Sequence, residues 1–192
     1  MSSIFIPDEF LSSKTNKPIG YCMLCGKNLL IDHSPYMIEK AFQRNLSTKQ
    51  FEMVFEYALC SVCQRNATSE LSKESLANIK MYFDLYVDFD KRQQEQANYD
   101  KNQFLSGIKN CIITNKPISE YNEYQIGGYF YRNQMLTDNL PFAIGEKAMN
   151  EIQDVISKKT RDFLDKFKDK IIPPSVRDKV PDDFLILIPN SF

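Results

Sequence analysis

Two pairs of cysteines, each separated by two residues, constrain this chain more than any other feature of its sequence. The pairs read CMLC and CSVC, and their members are Cys22, Cys25, Cys60 and Cys63. A C-x-x-C turn lets two thiolates converge on one tetrahedral ion, and two such turns complete the closed four-thiolate shell of a structural zinc site. Thiolates are soft ligands, which favours zinc over magnesium or calcium. The sequence therefore predicts one structural zinc ion per chain, bound by these four cysteines.

Other uses of the cysteines fit the spacing less well. A disulfide framework would leave the fifth cysteine, Cys111, without a partner. A thioredoxin-type redox pair would use a single C-x-x-C and would not need the second one. An iron–sulfur cluster also takes four thiolates, although its usual cysteine runs are more compact, and it remains the alternative to zinc.

The compartment supports a reading of the cysteines as metal ligands. The first residues show no basic stretch followed by an apolar run, so no secretory signal is expected. The longest apolar run, FLILI at residues 184–188, is the length of one strand and far shorter than a membrane span. We therefore expect a cytoplasmic protein without membrane contact, in a compartment where thiols stay reduced.

The remaining candidate reactive groups have plainer explanations. His33 is the only histidine of the chain, and we expect it in a turn because four cysteines already saturate zinc. Cys111 has no evident histidine partner and is expected to be a buried, small apolar residue. The acidic pairs at residues 8–9 and 182–183 are expected to be turn residues rather than a paired catalytic site.

The hydrophobic pattern predicts a mixture of strands and helices. FEMVFEYALC, residues 51–60, is rich in aromatic and β-branched residues and is expected to be a strand that delivers Cys60. Shorter strands are expected at residues 28–31 and 184–188. YMIEKAFQRN, from residue 36, is compatible with a short helix or a strand. In the second half, a hairpin is predicted to turn at Gly127 and Gly128.

Two long helices are predicted from apolar residues at three- and four-residue steps. The first is a helix of roughly 25 residues that begins nearer Cys60, with Ser72 as a plausible N-cap. The second spans about residues 145–170 and is stopped by Pro173 and Pro174.

The second half of the chain contains a segment that matches the first cysteine turn. When Cys111 is set on Cys22, CIITNKPI lies on CMLCGKNL, so that Thr114 replaces the second cysteine and Asn115 replaces Gly26. Asparagine is the next-best residue after glycine for a left-handed turn. With a one-residue gap, YQIGGYFYRN lies on YMIEKAFQRN, and a helix follows in both halves. We infer an internal duplication.

A second, shorter repeat competes with that alignment. The pentamer TNKPI occurs at residues 15–19 and again at residues 114–118. Setting one pentamer on the other places tyrosines on Cys22 and Cys25 and loses the later matches. We therefore expect the repeated pentamer to be mostly coincidence.

The order of a cysteine turn, a hairpin and a helix that begins with the second cysteine pair resembles the treble-clef zinc-finger fold group. The residues that carry the resemblance, over about residues 20–95, are Cys22, Cys25, Gly26, Cys60 and Cys63. It implies an α+β chain of two treble-clef-like halves, each with a knuckle, a β-hairpin and a long helix. Residues 1–98 would be the zinc-binding half, and residues 99–192 a degenerate, metal-free half with a C-terminal strand.

The resemblance identifies no specific family and leaves function open, because treble clefs serve in nucleic-acid binding, protein recognition and some nucleases. The chain carries 24 Lys and Arg against 25 Asp and Glu, for a net charge of −1. A protein that binds nucleic acid by neutralising phosphates is usually basic. Balanced charge, abundant Tyr and Phe and two similar halves fit a non-catalytic adaptor or regulatory module that binds another protein.

Two alternatives remain from the sequence. A nucleic-acid binder could use cations near the first zinc site and one near its counterpart, namely Lys27, Lys40, Arg44, Lys49, Arg65 and Arg132. An HNH-like nuclease or another enzyme is less favoured, because the chain has a single histidine and no phosphate-binding glycine loop.

Overall fold

A single antiparallel sheet forms the centre of the structure. The computed structural model describes residues 3–96, 99, 101–137, 141–177 and 179–180. Its strands are β1 (Ser3–Phe5), β2 (Tyr36–Arg44), β3 (Phe51–Cys60), β4 (Glu123–Tyr131), β5 (Gln134–Leu136) and β6 (Phe142–Gly145). The strand order is β1-β5-β4-β2-β3, and β6 also pairs with β4.

Seven α-helices accompany the sheet in the described part of the chain. They are α1 (Ser61–Ser69), α2 (Lys73–Tyr86), α3 (Phe89–Gln96), α4 (Lys101–Phe104), α5 (Glu146–Val155), α6 (Lys158–Ile171) and α7 (Pro174–Arg177). The mixture of helices and antiparallel strands confirms the predicted α+β class. None of the described helices has the length and apolar character needed to cross a membrane.

The strands of the first half follow the sequence pattern. YMIEKAFQRN forms β2, which decides between the helix and the strand that the sequence left open, and FEMVFEYALC forms β3 as predicted. The two pair from Tyr36 opposite Cys60 to Arg44 opposite Phe51. The first six residues of β2 are all buried, which is the pattern of a strand covered on both faces. The pairing of β3 with β2 places Cys60 at the end of the sheet, directly before α1.

The predicted hairpin turn at Gly127 and Gly128 is wrong. Both glycines lie within β4, which continues to Tyr131 and pairs with β2 along eight residue pairs. Glycine is needed at position 127 because a Cβ there would lie 2.4 Å from Cζ of Phe142. The chain instead turns after β4 at Arg132, which has a φ of 55°. A glycine within a strand marks the close approach of another part of the protein.

The predicted strand at residues 28–31 is also not formed. Asn28 makes an isolated antiparallel bridge with Tyr21, and the next residues turn. The turn is held by Oδ1 of Asn28, which accepts hydrogen bonds from the backbone N–H groups of Leu30 and Ile31 at 3.0 and 3.3 Å. Asparagine commonly stabilises turns in this way. The strand predicted at residues 184–188 lies outside the described residues.

Each predicted long helix is interrupted by a serine. Oγ of Ser72 accepts a hydrogen bond from the N–H of Ser75 at 3.1 Å and caps α2, as predicted. Oγ of Ser157 accepts one from the N–H of Thr160 at 3.3 Å and caps α6. A capping side chain takes the place of a carbonyl from the preceding turn, so a new helix begins in a new direction. The second break was not predicted.

Hydrogen bonds connect the residues at the two helix breaks. The Oγ atoms of Ser72 and Ser157 lie 2.9 Å apart. The backbone N–H of Ser72 donates to Oγ1 of Thr160 at 2.9 Å, and that of Ser157 donates to Oγ of Ser75 at 2.8 Å. Each break therefore satisfies a backbone donor of the other, and these bonds join α2 to α6.

The central strands β2 and β4 come one from each predicted half. Tyr36 stacks on Phe130 with ring centroids 5.5 Å apart, and Phe42 stacks on Tyr124 at 4.8 Å. Such pairs add about 0.5–1.5 kcal/mol beyond the area that they bury. One cluster of buried hydrophobic residues contains side chains from both halves. The division into units 1–98 and 99–192 stays a prediction.

We predict that Ser72→Ala and Ser157→Ala each lower the free energy of unfolding by about 1 kcal/mol, because each removes a helix cap. The double variant should deviate from additivity by about 0.5 kcal/mol or more, since the two side chains touch. Urea unfolding followed by circular dichroism measures both quantities. Exposed Ser175→Ala is the control, and strict additivity of the two caps would contradict the contact.

Candidate metal centre

The first cysteine pair lies in a tight turn of residues 22–27. The N–H of Cys22 donates to the carbonyl of Lys27 at 2.9 Å, and the N–H of Gly26 donates to the carbonyl of Cys22 at 2.9 Å. Gly26 has a φ of 69°, a conformation that glycine adopts without steric cost. The turn therefore holds Cys22 and Cys25 on one short loop, as the spacing predicts.

The second cysteine pair lies at the start of α1. Cys60 is the last residue of β3 and the N-cap residue of α1, and Cys63 lies in the first turn of that helix. The backbone N–H of Cys60 donates to Sγ of Cys22 at 3.4 Å, which joins the two pairs. The N-terminus of a helix carries partial positive charge and lowers the cost of holding thiolates there.

The four Sγ atoms converge. All of them lie within 4.8 Å of one another, and Sγ of Cys25 is 3.8 Å from Sγ of Cys60. A zinc ion with tetrahedral Zn–S bonds of about 2.3 Å requires sulfur–sulfur distances of about 3.8 Å. The donor set thus fits a metal ion of that size. Within the described residues it is the one group of three or more Cys, His, Asp or Glu side chains close enough to share an ion.

The thiols of this group differ in their readiness to ionise. Burial opposes ionisation of Cys22, but hydrogen bonds from backbone N–H groups, that of Cys60 first, outweigh it and lower the pKa of Cys22 to about 7. Burial raises the pKa of Cys60 and that of Cys63. The field of a bound cation would favour ionisation of Cys60 and Cys63, and metal binding would then release protons.

His33 and the N-terminal carboxylates lie apart from this group. His33 is exposed, and its Nδ1 is 2.9 Å from Nη2 of Arg132, a residue of the turn between β4 and β5. Asp8 and Glu9 are exposed in a short 3₁₀ helix, Asp8–Phe10. The second acidic pair, residues 182–183, lies outside the described residues.

Several of the cations considered for nucleic-acid binding are used within the protein. Lys40 is buried in β2, and its Nζ lies 3.1 Å from a carboxylate oxygen of Glu56. The guanidinium of Arg44 donates to backbone carbonyls of residues 119 and 121. Lys27 pairs with Asp32 at 3.4 Å on the surface. Lys40 and Arg44 thus stabilise the sheet and are not presented to a phosphate backbone.

The turn at Cys111 repeats the backbone of the turn at Cys22. The N–H of Cys111 donates to the carbonyl of Lys116 at 2.8 Å, and the N–H of Asn115 donates to the carbonyl of Cys111 at 2.8 Å. Asn115 has a φ of 55°, so it takes the left-handed conformation expected at the position of the turn glycine. Thr114 stands where the first turn has its second cysteine.

The two copies of the pentamer TNKPI lie in turns with the same hydrogen-bond pattern. In the first copy, the N–H of Ser12 donates to the carbonyl of Lys17, and the N–H of Asn16 donates to that of Ser12, both at 2.8 Å. Asn16 has a φ of 53°, close to the value at Asn115. Both pentamers therefore close the same turn, with asparagine at its left-handed position.

The same turn also joins β2 to β3. There the N–H of Asn45 donates to the carbonyl of Gln50 and that of Lys49 to the carbonyl of Asn45, both at 2.8 Å, and Lys49 has a φ of 61°. The turn by itself is therefore not specific to metal binding. What distinguishes the turns at Cys22 and Cys111 is the strand end and helix start packed against each.

The surroundings of Cys111 match those of Cys22 in several contacts. The N–H of Gly145 donates to Sγ of Cys111 at 3.4 Å, the distance that joins Cys60 to Cys22. Gly145 ends β6, serves as N-cap residue of α5 and pairs with Tyr124, as Cys60 pairs with Tyr36. Gly145 thus occupies the position of Cys60.

The backbone contact beside each turn also corresponds. The N–H of Met23 donates to the carbonyl of Ala58 at 2.9 Å, and the N–H of Ile112 donates to that of Ala143 at 2.8 Å. Three residues after Gly145, buried Ala148 then corresponds to Cys63. Sequence reasoning missed these positions, because no cysteine marks them and the spacing from turn to helix differs between the halves.

An aromatic ring fills the space beside the second turn. A Cβ on Gly145 would lie 2.7 Å from the ring of Tyr121. The Tyr121 hydroxyl is hydrogen-bonded to Oγ1 of Thr114, the residue at the position of Cys25. Tyr121 is itself buried. The second turn therefore has one thiol, one hydroxyl pair and an aromatic ring around it, where the first turn and the start of α1 together bring four thiols.

No protein-family model, no curated protein sequence and no solved structure matches this chain.

We predict that the purified chain contains about one zinc ion, and that Cys22→Ser or Cys60→Ser abolishes zinc binding and unfolds the first half, because metal binding contributes folding energy. Plasma mass spectrometry and circular dichroism measure the two effects. Cys111→Ser is the matched control and should leave the metal content unchanged. Two metal ions per chain would contradict the assignment of a metal-free second half.

Proposed function

We propose that the chain is a non-catalytic module, stabilised by one zinc ion, that binds another protein. The observation that carries the zinc assignment is the convergence of four Sγ atoms within 4.8 Å. Four thiolates complete the tetrahedral shell and leave no open position for a substrate or water, which is the arrangement of a structural site. The single histidine is exposed and contacts Arg132 rather than the cysteine group.

We also propose that residues around the site form a treble-clef-like zinc finger. In support, the turn of residues 22–27 is followed by the β2–β3 hairpin and then by α1, which begins with Cys60 and Cys63. The helix is shorter than the sequence pattern indicates, because it ends at Ser69.

The second half is, in this proposal, a duplicate of the first that has lost its metal ion. The matched turns at Cys22 and Cys111 support it, as do the equal bonds from Cys60 and Gly145 to the two sulfurs. The reciprocal bonds between the capping serines lend further support, since each break donates to the other in the same way. Tyr121 then fills the volume that an ion and its ligands would need.

We predict that the second site can be rebuilt. The quadruple variant Thr114→Cys, Tyr121→Ala, Gly145→Cys and Ala148→Cys should bind a second zinc ion, because it places four thiols at the positions equivalent to the first set and removes the ring that would clash with a Cβ at position 145. Zinc titration with a chromogenic chelator gives the stoichiometry. A matched control, Ser12→Cys with Thr15→Cys, puts two thiols in the similar turn without a helix start and should stay at one ion. A folded quadruple variant with one ion would contradict the duplication.

Protein binding is favoured over nucleic-acid binding for two reasons. Some of the candidate phosphate-binding cations are engaged within the protein, and large apolar side chains are exposed. Lys40 and Arg44 are engaged within the sheet. Large apolar side chains are exposed on α2, at Met81, Leu85 and Tyr86. Concentrated exposed apolar surface is typical of a protein interaction site. A cytoplasmic location, where the thiols stay reduced, is part of the same proposal.

We predict that the zinc-loaded chain, immobilised through a terminal tag, retains a specific protein from a nuclease-treated extract of its source cells. It should cause no mobility shift of DNA or RNA even at low salt, where phosphate contacts are strongest. The chain stripped of metal by a chelator is the control for capture. A salt-dependent nucleic-acid shift together with the absence of any retained protein would contradict the proposed function.

A further inference from the structure

Helix α2 carries apolar side chains on two faces. Ile79 and Phe83 are buried and pack in the core. On the other side, Met81 and Leu85 expose 66 and 72% of their surface, and Tyr86, the last residue of the helix, exposes 52% on the side of Ile79. The core therefore needs only one face of the helix, and the second apolar face is not required for folding. Large side chains concentrated in this way are unusual on a surface that serves only solvation.

The exposed face borders an open groove of about 820 Å³ between α2 and the junction of α5 and α6. Met81 and Leu85 line one wall, and Val155 and Ile156 line the other. A second open groove of about 650 Å³ continues past Leu85 along Tyr86 to Phe89 and shares Leu85 with the first. The two together form one elongated surface, apolar along the first groove and more polar along the second, which we call the α2 surface.

The walls of the α2 surface are fixed to each other. Nδ2 of Asn78 donates to the carbonyl of Val155 at 2.9 Å. The hydroxyl of Tyr82 donates to a carboxylate oxygen of Glu151 at 2.5 Å. Hydrogen bonds therefore set the distance between α2 and α5 before any partner arrives, so binding requires little reorganisation.

The charged residues that line the α2 surface are almost all acidic. They are Glu74, Asp84, Asp88, Asp90, Asp154 and one base, Lys80. Lys80 lies 2.6 Å from Asp84 and is neutralised by it. The whole chain has a net charge of only −1, so this surface concentrates negative charge. Such a field attracts cationic groups and repels phosphates.

We infer that the α2 surface binds an amphipathic helix of a partner protein, with an apolar face that covers Met81 and Leu85 and with Lys or Arg residues on its flanks. This inference rests on the proposed function and specifies where and what the module binds. An amphipathic helix in an apolar groove uses anchors at three- and four-residue steps, which suits the elongated shape of the surface. Opposite charges at the rim would speed association and fix orientation.

Charge also argues against the other occupants of this surface. In a two-fold dimer of this chain the same patch would face itself, so the carboxylates of both copies would be opposed. Residues 181–192 include the apolar run FLILI, but Asp182 and Asp183 precede it and the segment has no Lys or Arg. A basic partner is the one occupant that complements both the apolar and the acidic character of the groove.

Calorimetric titration of the zinc-loaded full chain with two synthetic peptides tests this inference. Both peptides have about 18 residues and the same leucine face, and they differ only in Lys or Glu at the flanking positions. We expect the Lys peptide to bind at least about tenfold more tightly than the Glu peptide, with an advantage that shrinks as salt is added. The double variant Glu74→Gln with Asp154→Asn should reduce both the affinity for the Lys peptide and its salt dependence.

The apolar contribution has its own matched pair of variants. Leu85→Ser should weaken binding of the Lys peptide by about tenfold, because the peptide buries this side chain. Leu46→Ser removes an equally exposed leucine, 76% exposed in the turn between β2 and β3, and should leave binding unchanged. The zinc content of each variant is measured alongside, so that loss of fold is recognised.

Several outcomes would overturn the inference. Equal affinity for both peptides, or full affinity of Leu85→Ser, would remove its basis. A dimer that sedimentation detects and that Leu85→Ser dissociates would assign the surface to a second copy. Binding that emerges only after Leu185→Ser with Leu187→Ser would assign it to the chain's own C-terminal segment. Specific capture of a protein that survives Leu85→Ser would leave the proposed function standing and reject this surface.

Discussion

The antiparallel pairing of β2 with β4 determines where the other elements of this protein lie. Each of the two strands carries its own neighbour outward, β3 on one side and β6 on the other, and each neighbour ends where a helix begins. The stacked pairs of Tyr36 with Phe130 and Phe42 with Tyr124 hold the central register. Because the register is fixed, Cys60 and Gly145 reach the sulfur atoms of Cys22 and Cys111 at the same distance.

The two turns beside these strand ends solve the same packing problem by different chemistry. At the first turn, four thiols leave a space that suits a cation, and the ionisation of Cys60 and Cys63 is costly without one. At the second turn, a tyrosine ring occupies the space and its hydroxyl bonds to Thr114. An aromatic ring supplies dispersion contacts and needs no charge compensation.

Local sequence signals predicted the candidate site. The features that they did not predict depend on contacts between residues far apart in the chain. The C-x-x-C spacing brings the two thiols of each pair together because it acts within a few residues, and the long-range contact of Cys60 with Cys22 then joins the pairs. Gly127 and Gly128 have the local signature of a hairpin, but Gly127 is required because Phe142 approaches it from a strand that follows later. Ser157 breaks a helix whose apolar period continues through it. The equivalence of Gly145 with Cys60 depends on strand register, which no single segment encodes.

The helical segments that form the walls of the proposed binding surface begin beside the two turns. One wall of the α2 surface is α2, which follows α1, and α1 begins at the cysteine pair of Cys60 and Cys63. The other wall is the end of α5, which begins at Gly145 against the ring of Tyr121. The crossed serine caps then hold α2 to α6. In the proposed module a structural metal ion would therefore contribute to partner binding, because it would fix the start of the helical segment that leads to one wall, while the aromatic ring fixes the start of the other.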